Sequence, residues 1–362
     1  MEPEGLYCPR GSFFVDAWGR VPTTITTHAH SDHARPGADR YIVADACAGL
    51  IRSRLGPTIA VESHPYDVPW KLGDAWVSLH PAGHVLGSAQ VRIEVDGKVV
   101  VISGDYKRES DPTCEAFRVQ ECDLFVTEST FGLPVFQWPD PDKVFGEIHA
   151  WWQANQEQKK TSVLFAYALG KSQRLLSGLN PEMGPIYLHG AVQSPTRIYR
   201  DAGIALPETR LVSEAPANQD WSQCMVIAVP SAAGSPWMRR FGNTSTAMAS
   251  GWMAIRGTRR RRSMDRGFVL SDHVDWKGLL STVRDSKAKY VWVTHGFADI
   301  VSRYLRDQGL DACPLATRFQ GEPDNPEESD GAERSDLGDG STMSIADPSE
   351  PSSESLNKGP TV

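Results

Sequence analysis

No stretch of this 362-residue chain comes near the roughly 18 uninterrupted apolar residues of a membrane span. Its opening, MEPEGLYCPRGS, lacks the basic-then-apolar order of a secretory signal. The expectation is therefore a cytoplasmic protein with no membrane partner. The six cysteines, Cys8, Cys47, Cys114, Cys122, Cys224 and Cys313, include no C-x-x-C pair, which excludes a zinc ribbon and a disulfide framework. They read as reduced thiols, mostly buried. Gly170-Lys171-Ser172 lacks the upstream glycine of a nucleotide-binding loop, so an ATPase is excluded as well. Any metal site must be built from imidazoles and carboxylates, and histidine is scarce at ten residues. Their positions carry more information than their number.

An excess of positive charge is also missing: the net charge is −8. That average hides two different regions. Residues 321–362 hold eleven acidic side chains against Arg334 and Lys358, a balance of −9; taking this from −8 leaves +1 for residues 1–320. A nearly neutral body with local basic clusters is compatible with a phosphate-bearing partner. The 321–362 segment is rich in Gly, Ser, Pro, Asp and Glu and cannot bury enough apolar surface to offset the entropy of ordering. It reads as a disordered acidic tail.

What is present is an alternation of short apolar runs and turns. In residues 1–130 the runs TTITTHAH, RYIVAD, WVSLHPAGH, VRIEVDGKVVVI and DLFVTEST read as strands, with a hairpin turn at Asp96-Gly97. Histidines and aspartates sit where these strands end, the place where an α/β protein gathers its chemistry. Residues 131–265 have another texture, with helical periodicity over 142–158 followed by a second strand-helix series, and read as an inserted α/β domain. Residues 266–320 return to the first pattern and are expected to rejoin the first domain.

The segment Thr27-His28-Ala29-His30-Ser31-Asp32-His33 places three histidines and one aspartate in six positions directly after an apolar strand. Residues two apart project to the same side, so His28 and His30 can face one metal while Asp32 and His33 face a second. Imidazole and carboxylate donors suit zinc, with manganese as a possible alternative. His84, on a glycine-flanked turn, and Asp105, after the strand ending at Ile102, are further candidate ligands.

The order H-x-H-x-D-H, then His84, then Asp105 resembles the metallo-β-lactamase superfamily. Glu128 in T-E-S-T-F-G, His273 in S-D-H-V-D and His295 in V-T-H-G resemble its β-CASP branch of nucleic-acid hydrolases, and A-Y-A-L-G-K at 166–171 looks like the start of that branch's insert helix. Gly5-Leu6-Tyr7-Cys8-Pro9 and the run from Thr27 to Gly37 are most similar to bacterial ligase-associated DNA exonucleases. His295, by contrast, resembles the RNA-processing members.

The resemblance implies an αββα sandwich carrying an inserted β-CASP domain. It implies two zinc ions, one held by His28, His30, His84 and Asp105, the other by Asp32, His33, Asp105 and His295, with Asp105 shared. Catalysis would fall to Asp32, Glu128 and His273, the last as general acid oriented by Glu128. Asp16 would orient a ligand loop from behind. The implied activity is exonucleolytic hydrolysis of DNA in repair, with functional links to a ligase and a helicase. An RNA-processing nuclease and a small-molecule metallohydrolase are the alternatives. Lys171 and the arginine cluster Arg256, Arg259 and Arg260 are candidate substrate phosphate contacts, a solvated loop being the other reading of the cluster. His64, His80, His149 and His189 lack partners at ligand spacing.

Overall fold

The computed structural model describes residues 4–255 and 264–315. The Arg256, Arg259 and Arg260 cluster and the acidic tail at 321–362 lie outside the described residues. Among the described residues no helix is long and apolar enough to cross a membrane.

The chain begins with a five-stranded sheet laid down in sequence order, β1 (Leu6–Cys8), β2 (Phe13–Val15), β3 (Val21–Ile25), β4 (Ala38–Ala44) and β5 (Val61–His64). All neighbours are parallel except β1 and β2. A second sheet follows with β6 (Trp70–Leu72), β7 (Ala75–Pro81), β8 (Ala89–Val95), β9 (Lys98–Ile102) and β10 (Leu124–Glu128). Asp96 and Gly97 both take positive φ, 51° and 74°, and close the β8–β9 hairpin with Val95 opposite Lys98. Such a two-residue turn matches the twist of the strands it joins, which explains why Asp-Gly sits there.

A wholly parallel six-stranded sheet comes next, from β11 (Thr161–Phe165), β12 (Ile186–Leu188), β13 (Arg210–Leu211), β14 (Met225–Ala228), β15 (Thr244–Ala249) and β16 (Arg266–Phe268). Its last strand extends three residues past the boundary expected at 265. The chain then returns to the second sheet with β17 (Tyr290–Thr294), which pairs in parallel with β10, and β18 (Asp311–Pro314), which pairs with β17.

The helix expected over 142–158 spans Pro141–Glu157. Asp140 caps it by accepting from the Asp142 amide, Pro141 occupies the first turn where no amide is missed, and Val144, Ile148, Trp151 and Trp152 form its buried stripe.

Apolar residues of the first two sheets, among them Ile25, Ile42, Leu79, Val91 and Val126, belong to one continuous core. The opposite face of the second sheet, through Val101, Phe125, Val291 and Val293, packs with Leu279 and Val283 of helix Trp276–Asp285 and Val301 and Leu305 of helix Ala298–Asp307. The six-stranded sheet has its own core. Each fully buried side chain of this size contributes about 1.5–3 kcal/mol. These cores fix the strand ends that carry the site. The cysteines form no disulfide, but only Cys47 and Cys224 are buried and Cys313 is exposed, fewer buried thiols than expected. The difference is one of position, since Cys313 lies on the edge strand β18.

Candidate active site

Three parallel neighbours, β9, β10 and β17, end on the same edge of the second sheet. Asp105 follows β9, Glu128 ends β10, and His295 follows β17, with Glu128 in register with Thr294. From the first sheet, β3 delivers the loop from Thr26 to His33. Thr26 donates its amide to Ile42 O at 2.9 Å and Thr27 O accepts from the Ala89 amide at 2.8 Å, so the loop is tied to both sheets. Gly104 lets the Asp105 turn come close: its φ is +57°, and a Cβ there would lie 2.7 Å from Thr27 Cβ.

One group of donors is His28, His30, His84 and Asp105; another is Asp32, His33 and His295. Asp105 Oδ2 lies 3.5 Å from His28 Nε2 and 3.8 Å from His84 Nε2 in the first group, and 3.5 Å from His33 Nε2 in the second. His30 Nδ1 is 3.1 Å from His28 Nε2 and 3.0 Å from His84 Nε2. Nitrogens about 3 Å apart are spaced as the edges of a metal's coordination polyhedron with bonds near 2.0–2.1 Å. Asp105 Oδ1 is buried and accepts no hydrogen bond among the described residues. A buried carboxylate oxygen without a donor, set among imidazole nitrogens, fits divalent cations.

The outer ring nitrogens are each held so that the other nitrogen faces inward. His33 Nδ1 donates to Asp16 Oδ2 at 2.8 Å, and the Asp16 carboxylate also accepts from the Thr27 amide and hydroxyl, both at 2.7 Å. His84 Nδ1 donates to the Asp272 carbonyl at 2.8 Å, and His30 Nε2 to the Leu169 carbonyl at 3.3 Å. Thr294 Oγ1 lies 2.6 Å from His295 Nδ1, and the Ser129 hydroxyl donates to the Thr294 and His295 carbonyls. Partners of this kind fix tautomer and ring orientation.

Burial, then neighbouring imidazoles, holds His28 well below the usual histidine range, and burial holds His30 below it too. His84 is pushed down to about 4 by burial and then by His273, and burial brings His295 to about 4. These rings are neutral at physiological pH, as ligands must be. For Asp105, burial opposes ionisation, yet His33 and His273 outweigh it and hold the carboxyl well below its ordinary value. His33 is raised despite burial, by Asp105, Asp32 and Asp16.

Glu128 and His273, both buried, form a pair alongside Asp105, the donor atoms of the three lying within 4.8 Å of one another, as do those of His84, Asp272 and His273. His273 Nδ1 lies 2.9 Å from Glu128 Oε2, and Glu128 Oε1 accepts the Tyr106 amide at 2.8 Å. Burial would lower the His273 pKa, but Glu128 and then Asp105 overcome it and raise it to about 10. Both carboxylates favour the imidazolium form. Trp138 Nε1 donates to the His273 carbonyl at 2.8 Å and steadies the loop.

A pH dependence follows for the metal-free protein. His84 and His295 stay neutral in the fold down to about 4, whereas the unfolded chain takes up protons near 6.5. That contribution is complete above 6.5 and lost as pH falls. His273 keeps its proton in the fold up to about 10 while the unfolded chain releases it near 6.5, so its contribution is complete below 6.5 and lost as pH rises. The unfolding midpoint of the metal-free protein should peak near pH 6.5 and fall on both sides. A thermal scan between about pH 5 and 8 that is flat would refute this.

Lys171, expected as a substrate phosphate contact, lies in the interior of the fold. It is 1% exposed, and its ammonium sits 3.0 Å from Asp272 Oδ1 and over the Tyr167 ring, so its charge is directed at a buried carboxylate and not at solvent. The other histidines have structural partners: His64 pairs with Glu62, His80 with Asp67, His149 accepts the Asn180 amide, and His189 caps helix Gly190–Asp201. Asp272, Leu169, Thr27, Ser129 and Trp138 act on the site without having been singled out. Asp272, Ser129, Leu169 and Thr27 each stand within a motif quoted for its neighbours, and only Trp138 lies outside all of them.

No protein-family model matches the chain. A protein of Opitutus terrae named probable DNA ligase is 33% identical over 313 residues, which is 86% of this chain and 30% of that protein. A Yarrowia lipolytica protein named endoribonuclease YSH1 is 26% identical over 178 residues, 41% of this chain and 20% of that protein. A Methanocaldococcus jannaschii RNase J-like protein is 28% identical over 127 residues, 33% of this chain and 30% of that protein. The chain thus spans less than a third of the length of each of these three relatives. A solved structure, a protein of unknown function from Enterococcus faecalis V583, aligns with a TM-score of 0.53 over 82% of this chain and 80% of that one at 11% identity. That likeness concerns the fold alone.

Proposed function

We propose that this chain is a metal-dependent nuclease of the β-CASP branch of the metallo-β-lactamase fold, hydrolysing phosphodiester bonds of DNA, as an exonuclease in repair. In this reading β1–β10, β17 and β18 form the two sheets of an αββα sandwich, interrupted by the insert whose sheet runs from β11 to β16. The observation that carries it is the Glu128–His273 pair beside two donor groups with Asp105 between them, its Oδ2 3.5 Å from His28 Nε2 in one and 3.5 Å from His33 Nε2 in the other. A small-molecule hydrolase of the same fold would have no need of that pair.

His28, His30, His84 and Asp105 would hold one cation, and Asp32, His33, His295 and Asp105 the other, zinc being the best match to nitrogen-rich donors. Divalent cations held there would supply Lewis-acid polarisation of the phosphodiester and an acidified water as nucleophile. The chain's own residues do the rest. Asp16 and the Asp272 carbonyl keep His33 and His84 turned inward. Asp105 keeps its negative charge between imidazoles. His273, charged and oriented by Glu128, delivers a proton to the departing sugar oxygen, a step that typically contributes about 10²–10⁴-fold.

The relative named for DNA ligase aligns with 86% of this chain, against 41% and 33% for the two named for ribonucleases, which favours DNA and a functional link to ligation. His295 and those two names support RNA as the second reading. Incubating the metal-loaded protein with end-labelled DNA and RNA of one sequence, single- and double-stranded, decides between them. The DNA reading expects mononucleotides released from one DNA end. Cleavage of RNA alone would reverse the substrate, and no cleavage of either would end the nuclease reading.

A further inference from the structure

Helix Lys171–Gly178, which follows β11, opens with two cations one turn apart, Lys171 and Arg174, buried to 1% and 6% exposure. Residues at i and i+3 share a helix face. Both reach the loop that leads to His273: Lys171 Nζ lies 3.0 Å from Asp272 Oδ1, and Arg174 Nη1 donates to the Ser271 carbonyl. Arg174 Nε is fixed from behind by Asp111 Oδ2 at 3.2 Å.

The backbone at both ends of this contact touches the candidate ligands. The Asp272 carbonyl accepts from His84 Nδ1 at 2.8 Å, and the carbonyl of Leu169, two residues before Lys171, accepts from His30 Nε2 at 3.3 Å. Between them, Gly170 takes φ +82°, and a Cβ there would lie 2.4 Å from Val85 Cγ1 and 3.3 Å from Asp272 Oδ2. Only glycine lets the turn press this closely on the residue beside His84.

We propose that Lys171 and Arg174 are positioning residues, a buried cationic latch through which the insert's helix fixes the Asp272 carbonyl and with it the orientation of His84. The affinity of the His28–His30–His84–Asp105 group for its cation then depends on how the insert docks. The idea rests on the metal-site reading above but not on the choice of substrate. The Lys171 ammonium is committed to a carboxylate whose residue is itself 3% exposed, and that residue's own carbonyl holds a candidate ligand. Truncating the lysine would leave a buried carboxylate without its counter-charge, and the loop must shift to hydrate it.

The test uses the full chain with Lys171→Met and Asp272→Asn, singly and together. Asp272→Asn keeps the shape, the carbonyl and a hydrogen-bond acceptor for Lys171, so it remains informative if Lys171→Met fails to fold. Zinc affinity is measured by competition with a chromophoric chelator, and cobalt substitution reports the ligand field of each site. One of the two metals is expected to bind about 10–100-fold more weakly in each single variant, with one component of the cobalt spectrum altered. The double variant should lose no more than the worse single one, because the two changes break one interaction. Wild-type affinity for both metals in Lys171→Met or Asp272→Asn would overturn the latch. So would a raised KM for nucleic acid with both metals still bound, which would make Lys171 a substrate contact. If the unaltered chain binds no metal, the metal-site reading itself fails, a result distinct from either of these.

Discussion

Asp105→Ala is expected to empty both metal positions and to abolish turnover, whereas His295→Ala should weaken only one. The difference lies in placement. Asp105 Oδ2 is within 3.5–3.8 Å of His28, His33 and His84, which belong to both donor groups, while His295 sits only with Asp32 and His33. Removing the carboxylate deletes the one anion between the groups and leaves the raised His33 charge with Asp32 and Asp16 alone. Losing several kcal/mol of charge stabilisation at a phosphodiester corresponds to a fall on the order of 10³-fold or more. Elemental analysis should read two metals per chain in the unaltered protein, near zero in Asp105→Ala, and about one in His295→Ala at limiting metal. Two metals retained in Asp105→Ala would remove the shared-ligand arrangement, and active protein holding only trace metal would remove the mechanism.

The second large effect is expected at His273. Replacing it with alanine should leave both metals in place and lower the rate on nucleic acid by about 10²–10⁴-fold. His273 Nδ1 lies 2.9 Å from Glu128 Oε2 and 4.0 Å from Asp105 Oδ2, and His273 belongs to neither the His28–His30–His84–Asp105 group nor the Asp32–His33–His295 group. Its role is to supply a proton to a poor leaving group. A nitrophenyl phosphodiester departs without that proton, so its hydrolysis should be largely spared. The measurement is the mutant-to-wild-type rate ratio on DNA compared with the same ratio on the nitrophenyl ester. Equal ratios would remove His273 from the acid's role. Glu128→Gln should follow His273→Ala in direction, since losing the carboxylate's charge withdraws the main influence that keeps the imidazole protonated against its burial.

Parts of this site were legible before folding. The cluster from His28 to His33 is local, and its spacing at a strand end already separates His28 and His30 from Asp32 and His33. Asp105, Glu128 and His295 each follow an apolar strand, and strand ends can be read from composition. Their convergence is another matter. It depends on β9, β10 and β17 being parallel neighbours although β17 lies more than 160 residues beyond β10. The resemblance to a known family supplied that order; the residues alone did not.

Lys171 shows the opposite case. A lysine after glycine at a helix start looks like an anion contact, because sequence gives its charge and its helix position but not the direction it faces. In the fold it points at Asp272, and the glycine before it serves close packing against Val85. The Leu169 and Asp272 contributions to His30 and His84 are main-chain carbonyls, which every residue possesses and no residue type announces.

By itself, the sequence determined the donor chemistry, the strand-end placement of each candidate ligand, the Asp96-Gly97 hairpin and the helix capped by Asp140, all of which depend on residues a few positions apart. Only the tertiary structure decided which strand ends meet, which nitrogen of each imidazole faces inward, and that Lys171 and Arg174 of one helix contact Asp272 and Ser271 beside His273. Those outcomes are set by burial and by pairing across 100 residues or more of chain, as between Lys171 and Asp272, where the cost of an unpaired buried charge selects the partner.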